Sequence, residues 1–201
     1  MSSEPKFDTL SAAKVLALFD IVIPNIVVDN IVLDSRDADQ GSLFIAHKGT
    51  QENGEKYVRD ALNKSAKIAL IGADDAQQHG DIEESDGALI IKFANLEKHI
   101  GLICSEFYQN VSSKLNCIAT TGTNGKTSVV HICAQLSAIC AEDAGTVGTM
   151  GVSYYAKDQT AEKICDTINT SPDIASLNKF AYLLQQKGAS RLCIEAVSYT
   201  H

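Results

Sequence analysis

The chain has 201 residues, a formal net charge of −8 and a pI near 5.0, a balance that argues against general nucleic-acid binding, which relies on clustered Lys and Arg. With 45% hydrophobic residues it is long enough for one large domain or two small ones, and no apolar run approaches the ~20 residues of a membrane-spanning helix. Residues 1–8 lack an apolar signal core, and the six cysteines (104, 117, 133, 140, 165 and 193) have no C-x-x-C spacing and lie mostly in apolar runs, so they read as reduced, buried thiols of a cytosolic protein.

In chain order, residues 10–19 read as a short helix with Val15, Leu16, Leu18 and Phe19 apolar. Residues 26–33, rich in Val and Ile, read as one or two strands, and Asp34-Ser35-Arg36 opens a polar loop directly after them. Residues 42–46 form a short strand, and 54–64 a helix with Tyr57, Val58, Ala61 and Leu62 inward. Residues 68–71 and 88–91 are short strands of buried type. The acidic stretch 73–86 between them reads mostly as solvated loop. Leu96, Ile100, Ile103 and Phe107 recur at helical spacing. The polar segment 109–114 then marks a boundary between a domain at 1–112 and a second at 113–201.

The second set opens with an apolar run at 115–119, followed by Thr120-Thr121-Gly122-Thr123-Asn124-Gly125-Lys126-Thr127 and a helical pattern. Strand, Gly-containing turn, Lys-Thr and helix is the order of a phosphate-binding loop. Glycines let backbone N–H groups approach phosphate oxygens, and the helix N-terminus adds partial positive charge. Lys126 can reach the β- and γ-phosphates, and the Thr127 hydroxyl can ligate Mg²⁺. Thr120 stands where the first Gly of G-x-x-x-x-G-K-[ST] belongs; the alternative reading is a turn that simply caps a helix.

Along that helix Val129, Ile132, Cys133, Leu136, Ile139 and Cys140 form a stripe expected to pack into the core. His131, between the stripe positions, reads as a surface or boundary residue. A strand at 144–147, an irregular stretch to 169, a helix at 172–186 and a last strand at 191–194 complete the chain. In the helix Ile174, Leu177, Ala181 and Leu184 share one face, and Gly188 stops it. Alternating strands and helices predict an α/β fold with a largely parallel, doubly wound sheet. With about three strands after the boundary, the second domain reads as an incomplete one. Glu195 ends the last strand, where ligands sit in open α/β sheets. It is either a Mg²⁺ holder, directly or through water, or an ordinary surface Glu.

Several separated segments together resemble the Mur ligases, ATP-dependent amide-forming enzymes of peptidoglycan precursor synthesis, and among them the branch adding the third residue of the stem peptide. They are Leu33-Asp34-Ser35-Arg36, Gly41-Ser42-Leu43-Phe44-Ile45-Ala46 with Gly49 and Gly54, the loop 121–127, Gly145-Thr146-Val147-Gly148-Thr149, Asn169-Thr170-Ser171-Pro172 and Ile194-Glu195-Ala196. The resemblance implies a small N-terminal α/β substrate domain followed by a P-loop domain. Leu33 and Ser35 would contact the uridine diphosphate end of UDP-MurNAc-L-Ala-D-Glu, with Thr50, Gln51 and Glu52 lining the same pocket. Asn169, Thr170 and Ser171 would hold the sugar-diphosphate region. Gly122, Thr123, Asn124, Gly125, Lys126, Thr127 and Ser128 would cradle ATP. Thr127 and Glu195 would bind Mg²⁺, and Lys126 and Glu195 would be the catalytic groups.

The implied reaction activates the D-Glu side-chain carboxylate as an acyl phosphate, which the free amino acid, meso-diaminopimelate or L-lysine, then converts to an amide. The resemblance implies a cytoplasmic, monomeric enzyme of cell-wall biogenesis and cell division, with no nucleic-acid or membrane partner. The family's Glu-x-Ser-Ser-His element is not continued, since Val197, Ser198 and Tyr199 follow Ala196. A complete ligase of this kind is much longer, so the chain is expected to be a truncated portion, inactive by itself. A non-catalytic UDP-sugar-binding module and another branch of the superfamily remain as alternatives.

Overall fold

The computed structural model describes residues 11–47, 54–167 and 170–196. Its contacts divide the chain into two compact units, Met1–Gln109 and Asn110–His201. Each is built on a mixed five-stranded sheet.

The first unit runs α1 (Ala12–Ala17), β1 (Asn30–Val32), β2 (Ser42–Ala46), α2 (Val58–Asn63), β3 (Ile68–Gly72), β4 (Ile82–Ser85), β5 (Ala88–Phe93) and α3 (Leu96–Phe107). The strand order is β1-β2-β3-β5-β4, parallel except for β4. β2 is buried along its whole length, as befits a central parallel strand covered on both faces. One face meets α2 through Phe44, Ala46, Val58, Ala61 and Ala69. Tyr108, fully buried just after α3, has its hydroxyl accept a hydrogen bond from the Ile31 amide at 3.3 Å, which satisfies a polar tip that burial would otherwise strand.

Three local readings are corrected. Residues 26–33 form a strand only at Asn30–Val32, and 54–64 begins with a 3₁₀ turn, Gly54–Tyr57, before α2. The acidic stretch is not loop throughout: it holds a 3₁₀ turn, Ala76–Gln78, and β4, which pairs antiparallel with β5 across Asp86-Gly87, both at positive φ. That dipeptide suits the two-residue hairpin turn. β4 escapes the hydrophobic pattern because it is an edge strand whose side chains are mostly exposed.

The second unit runs β6 (Asn116–Thr120), α4 (Lys126–Ile139), β7 (Ala144–Gly148), β8 (Gly151–Tyr155), β9 (Ala161–Cys165), α5 (Ile174–Gln186) and β10 (Arg191–Glu195). The order is β6-β10-β7-β8-β9, with β6, β10 and β7 parallel, β8 antiparallel to β7, and β9 antiparallel to β8. The expected irregular stretch is therefore the β8–β9 hairpin, and the sheet has five strands, not three. Ala144 packs toward α4 and its neighbour Gly145 toward Leu184 of α5. Successive residues of a strand face opposite ways, so the two helices cover opposite faces.

The expected core stripe of α4 is the larger correction. The buried residues are Val130, Ala134, Ser137 and Ala138. Val129, Ile132, Leu136 and Ile139 are between 44% and 63% exposed, and Cys140 is exposed too. The helix carries a small-residue face beside its Val/Ile/Leu stripe, and the small face is the one that packs closely on β7 and β10. The cysteines follow suit: Cys104 and Cys193 are buried, but Cys117 and Cys140 are exposed. On α5, Asp173 caps the helix by accepting from the Ser176 amide, and Gly188 ends it at φ 108°. Ala181 and Leu184 are buried as expected, whereas Ile174 is exposed. Among the described residues no helix is long and apolar enough to cross a membrane.

Candidate functional site

The C-terminal ends of β6, β10 and β7 bring the second unit's site residues together. Glu195 is registered opposite Thr120, and the Ala196 amide donates to the Thr120 carbonyl at 2.9 Å. From Thr120 the chain enters the loop 121–125, where Gly122 and Gly125 take φ 140° and 82°. The positions a Cβ would occupy on both are open space, so these glycines serve backbone conformation and leave the approach clear. Gly125 is the N-cap of α4 and no side chain caps the helix. The orphan N–H groups of its first turn are thus available to an anion. Lys126 Nζ lies folded over the loop, donating to the Gly122 carbonyl at 2.6 Å and reaching that of Thr123 at 3.5 Å. Thr123, Asn124 and Ser128 are exposed around it, and Thr127 is half-buried.

Glu195 is not a surface residue, being 1% exposed. Its Oε1 accepts from the Thr149 amide at 3.0 Å, and its Oε2 from the Thr149 hydroxyl at 3.1 Å. Thr149 Oγ1 lies 3.2 Å from Thr170 Oγ1. Ser171 donates to the Glu195 carbonyl at 2.9 Å, and Thr167 to that of Gly148 at 2.7 Å. Gly148 must be glycine, because a Cβ there would fall on the Glu195 carboxylate. Thr149 is the member that the sequence reading gave no role; its only signal was its place in the segment after the P-loop helix.

A carboxylate has about four acceptor sites. With two of them taken by Thr149, Glu195 retains capacity for a water or a cation. The Thr127 hydroxyl and the Glu195 carboxylate are hard oxygen donors of the kind Mg²⁺ prefers. The burial of Glu195 favours action through water over direct ligation. Beside the first turn of α4, a cavity of about 510 Å³ is lined by Thr127, Ser128, His131, Met150 and Tyr155, among others. Tyr155 Oη lies 2.6 Å from His131 Nδ1, so His131 is a partnered boundary residue.

In the first unit a cavity of about 440 Å³ is lined by Leu33, Asp34, Ser35, Arg36, Phe44, His47, Gly54 and Tyr57. Asp34 accepts from the Arg36 amide at 2.8 Å and from its guanidinium at 2.5–3.0 Å. The guanidinium bond chiefly holds the Asp34 carboxyl below the usual carboxylate range, against a smaller opposing effect of burial. Lys64 Nζ donates to the carbonyls of Ser35 and Arg36 at 3.1 and 2.8 Å, tying α2 to the same turn. Gly54 approaches the end of β2 so closely that a Cβ would lie 2.5 Å from the His47 carbonyl oxygen and 2.9 Å from the Ala46 carbonyl carbon. Leu33 and Ser35 thus share one cavity, as expected. Phe44, His47 and Tyr57 join them without having been singled out as site residues; for His47 the available signal was its position just past the C-terminal end of a parallel strand. Thr50, Gln51, Glu52 and Asn169 lie outside the described residues, as do Val197, Ser198 and Tyr199.

Comparison with known proteins matches residues 27–108 to the Mur ligase family catalytic domain and residues 120–201 to the Mur ligase middle domain. A UDP-N-acetylmuramoyl-L-alanyl-D-glutamate–2,6-diaminopimelate ligase of Pseudomonas aeruginosa is 33% identical over 167 residues, which is 83% of this chain and 32% of that one. A solved structure of a ligase of the same name superposes with a TM-score of 0.61 at 21% identity, over 94% of this chain and 36% of that one. A MurF ligase from Thermotoga maritima in complex with ADP superposes with a TM-score of 0.51 at 17% identity, over 84% of this chain and 32% of that one. The chain spans about a third of the length of the curated relatives it matches.

Proposed function

The chain belongs to the Mur ligase family, and from that premise we propose that it carries the UDP-sugar and ATP sites of the ligase that adds the third residue to UDP-MurNAc-L-Ala-D-Glu. Residues 1–112 serve as the UDP-sugar domain and 113–201 as the ATP-binding domain. The observation that carries the reading is the pairing of β6 with β10, which sets the phosphate loop beside a buried carboxylate and a cluster of hydroxyls. The incoming residue is meso-diaminopimelate or L-lysine; the names of the relatives favour the former. The reaction belongs to the cytoplasm, with a monomeric chain and neither nucleic acid nor membrane as partner.

In this reading Leu33 and Ser35 position the uridine diphosphate end of the substrate. Loop residues 122–125 and the first turn of α4 hold the nucleotide's phosphates. Lys126 leaves the Gly122 carbonyl to follow the γ-phosphate, where charge builds during transfer to the substrate carboxylate. Mg²⁺, held by Thr127 and through water by Glu195, would supply further charge neutralisation. Thr149 keeps the Glu195 carboxylate aimed, while Thr170 and Ser171, whose hydroxyls lie against Thr149 and the Glu195 carbonyl, turn their single O–H donors from those partners to the sugar diphosphate. Losing one transition-state contact of the Lys126 kind typically costs ~3 kcal/mol or more, on the order of a hundredfold in rate.

Calorimetric titration of the chain with UDP-MurNAc-L-Ala-D-Glu, and separately with Mg-ATP, tests the proposal. The expected result is one saturable site for each, with neither excluding the other. A cooperatively folded chain that binds neither ligand would overturn it.

A further inference from the structure

His47 follows Ala46, the last residue of β2, and its backbone is held by the Gly54 amide, which donates to its carbonyl at 3.1 Å. The residue is partly exposed and lines the 440 Å³ cavity of the first unit. Its Nδ1, however, is buried and has no hydrogen-bond partner among the described residues. A neutral imidazole carries one proton on one of two distinct nitrogens. An orphaned buried N–H is the rarer defect, and an under-satisfied acceptor the commoner one. The sealed Nδ1 therefore keeps its lone pair and Nε2 carries the proton, which makes the accessible side of the ring a hydrogen-bond donor.

The surroundings select what that donor meets. Leu33, Phe44 and Tyr57 give the cavity apolar and aromatic walls, suited to a planar ring. Arg36, the guanidinium on its rim, is committed to Asp34 through Nε and Nη2, so this part of the cavity offers little uncommitted positive charge to a diphosphate. We propose that His47 is a base-reading residue, donating from Nε2 to the carbonyl edge of a uracil ring and thereby favouring uridine over cytidine nucleotides. Cytosine presents an amino donor where uracil has its O4 acceptor, so a fixed donor accepts one base and repels the other. This inference rests on the reading of the cavity as the uridine diphosphate site.

The test is titration of the full chain with UDP and with CDP, for the wild type, His47→Leu and His47→Gln, with a thermal melt of each. The wild type is expected to prefer UDP. His47→Leu should lose about 5- to 10-fold in UDP affinity, the worth of one hydrogen bond, while CDP, freed of the opposing donor, binds no more weakly than to the wild type, so that the UDP-to-CDP ratio collapses. His47→Gln, whose amide can donate or accept, should keep UDP binding and gain CDP binding. Equal losses for both nucleotides, or an unchanged ratio in His47→Leu, would overturn the inference. If His47→Leu does not fold, an unchanged ratio in His47→Gln overturns it equally. A folded wild type that binds neither nucleotide would instead overturn the reading of the cavity itself.

Discussion

Glu195 and Thr149 lie 46 residues apart in sequence, yet both carboxylate oxygens of the one accept from the other. Hydrogen bonds to charged groups contribute about 1.5–3 kcal/mol, more than neutral ones. Thr149→Val keeps the amide bond and removes the hydroxyl bond. It should destabilise the chain by about 1–3 kcal/mol in urea unfolding, and a change below ~0.5 kcal/mol would show that the hydroxyl bond is not formed. At the cysteines, burial pushes the Cys193 thiol up to about 11 and shields it, with Cys133 adding to the shift. Cys140 is exposed. Since the thiolate is the reactive form, alkylation at pH 8 should label Cys140 in the native chain and reach Cys193 and Cys104 only after denaturant is added. Prompt labelling of Cys193 would contradict its placement between β6 and β7. The Gly-Lys-Thr turn could be found from sequence because its residues are contiguous. The state of Glu195 could not, because a strand-ending Glu looks the same whether solvent or a distant Thr meets its carboxylate.

Among the elements, α3 and β2 were legible to their ends, because each has a single apolar pattern and nothing competes with it. α4 was legible as a helix but not in its orientation. Its Ala/Ser face and its Val/Ile/Leu stripe both recur at helical spacing, and only the closeness of the sheet selects the small face. Ile132→Glu and Leu136→Glu should each change stability by no more than ~0.5 kcal/mol, while Ala134→Leu, forced between helix and sheet, should cost about 1–3 kcal/mol. Equal effects at the three positions would contradict the burial assignment. The β4–β5 hairpin carried a readable signal in Asp86-Gly87, but its acidic edge strand hid it. The β8–β9 hairpin was masked by polar and irregular composition. Gly54 is a constraint of another kind. Gly54→Ala must push apart the two ends of the segment that closes on His47, so it should lower both the melting temperature and UDP affinity. Unchanged values in both would mean that this close approach is absent.

At the scale of the whole chain, each unit places its candidate residues at or just beyond the C-terminal ends of parallel strands, and each carries antiparallel pairing at one edge of its sheet. That plan follows from alternating strands and helices, which is why the α/β class could be read early, whereas the antiparallel additions depend on pairing between segments of weak pattern. The proposed function requires two separate binding sites, one in each unit, for a uridine diphosphate sugar and for a nucleoside triphosphate. A thermal-shift titration with UDP-MurNAc-L-Ala-D-Glu and with Mg-ATP, on the wild type and on Lys126→Ala, tests that requirement. A ligand at ~100 times its dissociation constant adds ~2.7 kcal/mol to the state it binds, enough to move the melt by several degrees. The expected result is stabilisation of the wild type by both ligands, and of Lys126→Ala by the UDP-sugar alone. A cooperative wild-type melt that neither ligand moves, or an ATP shift that survives in Lys126→Ala, would contradict it.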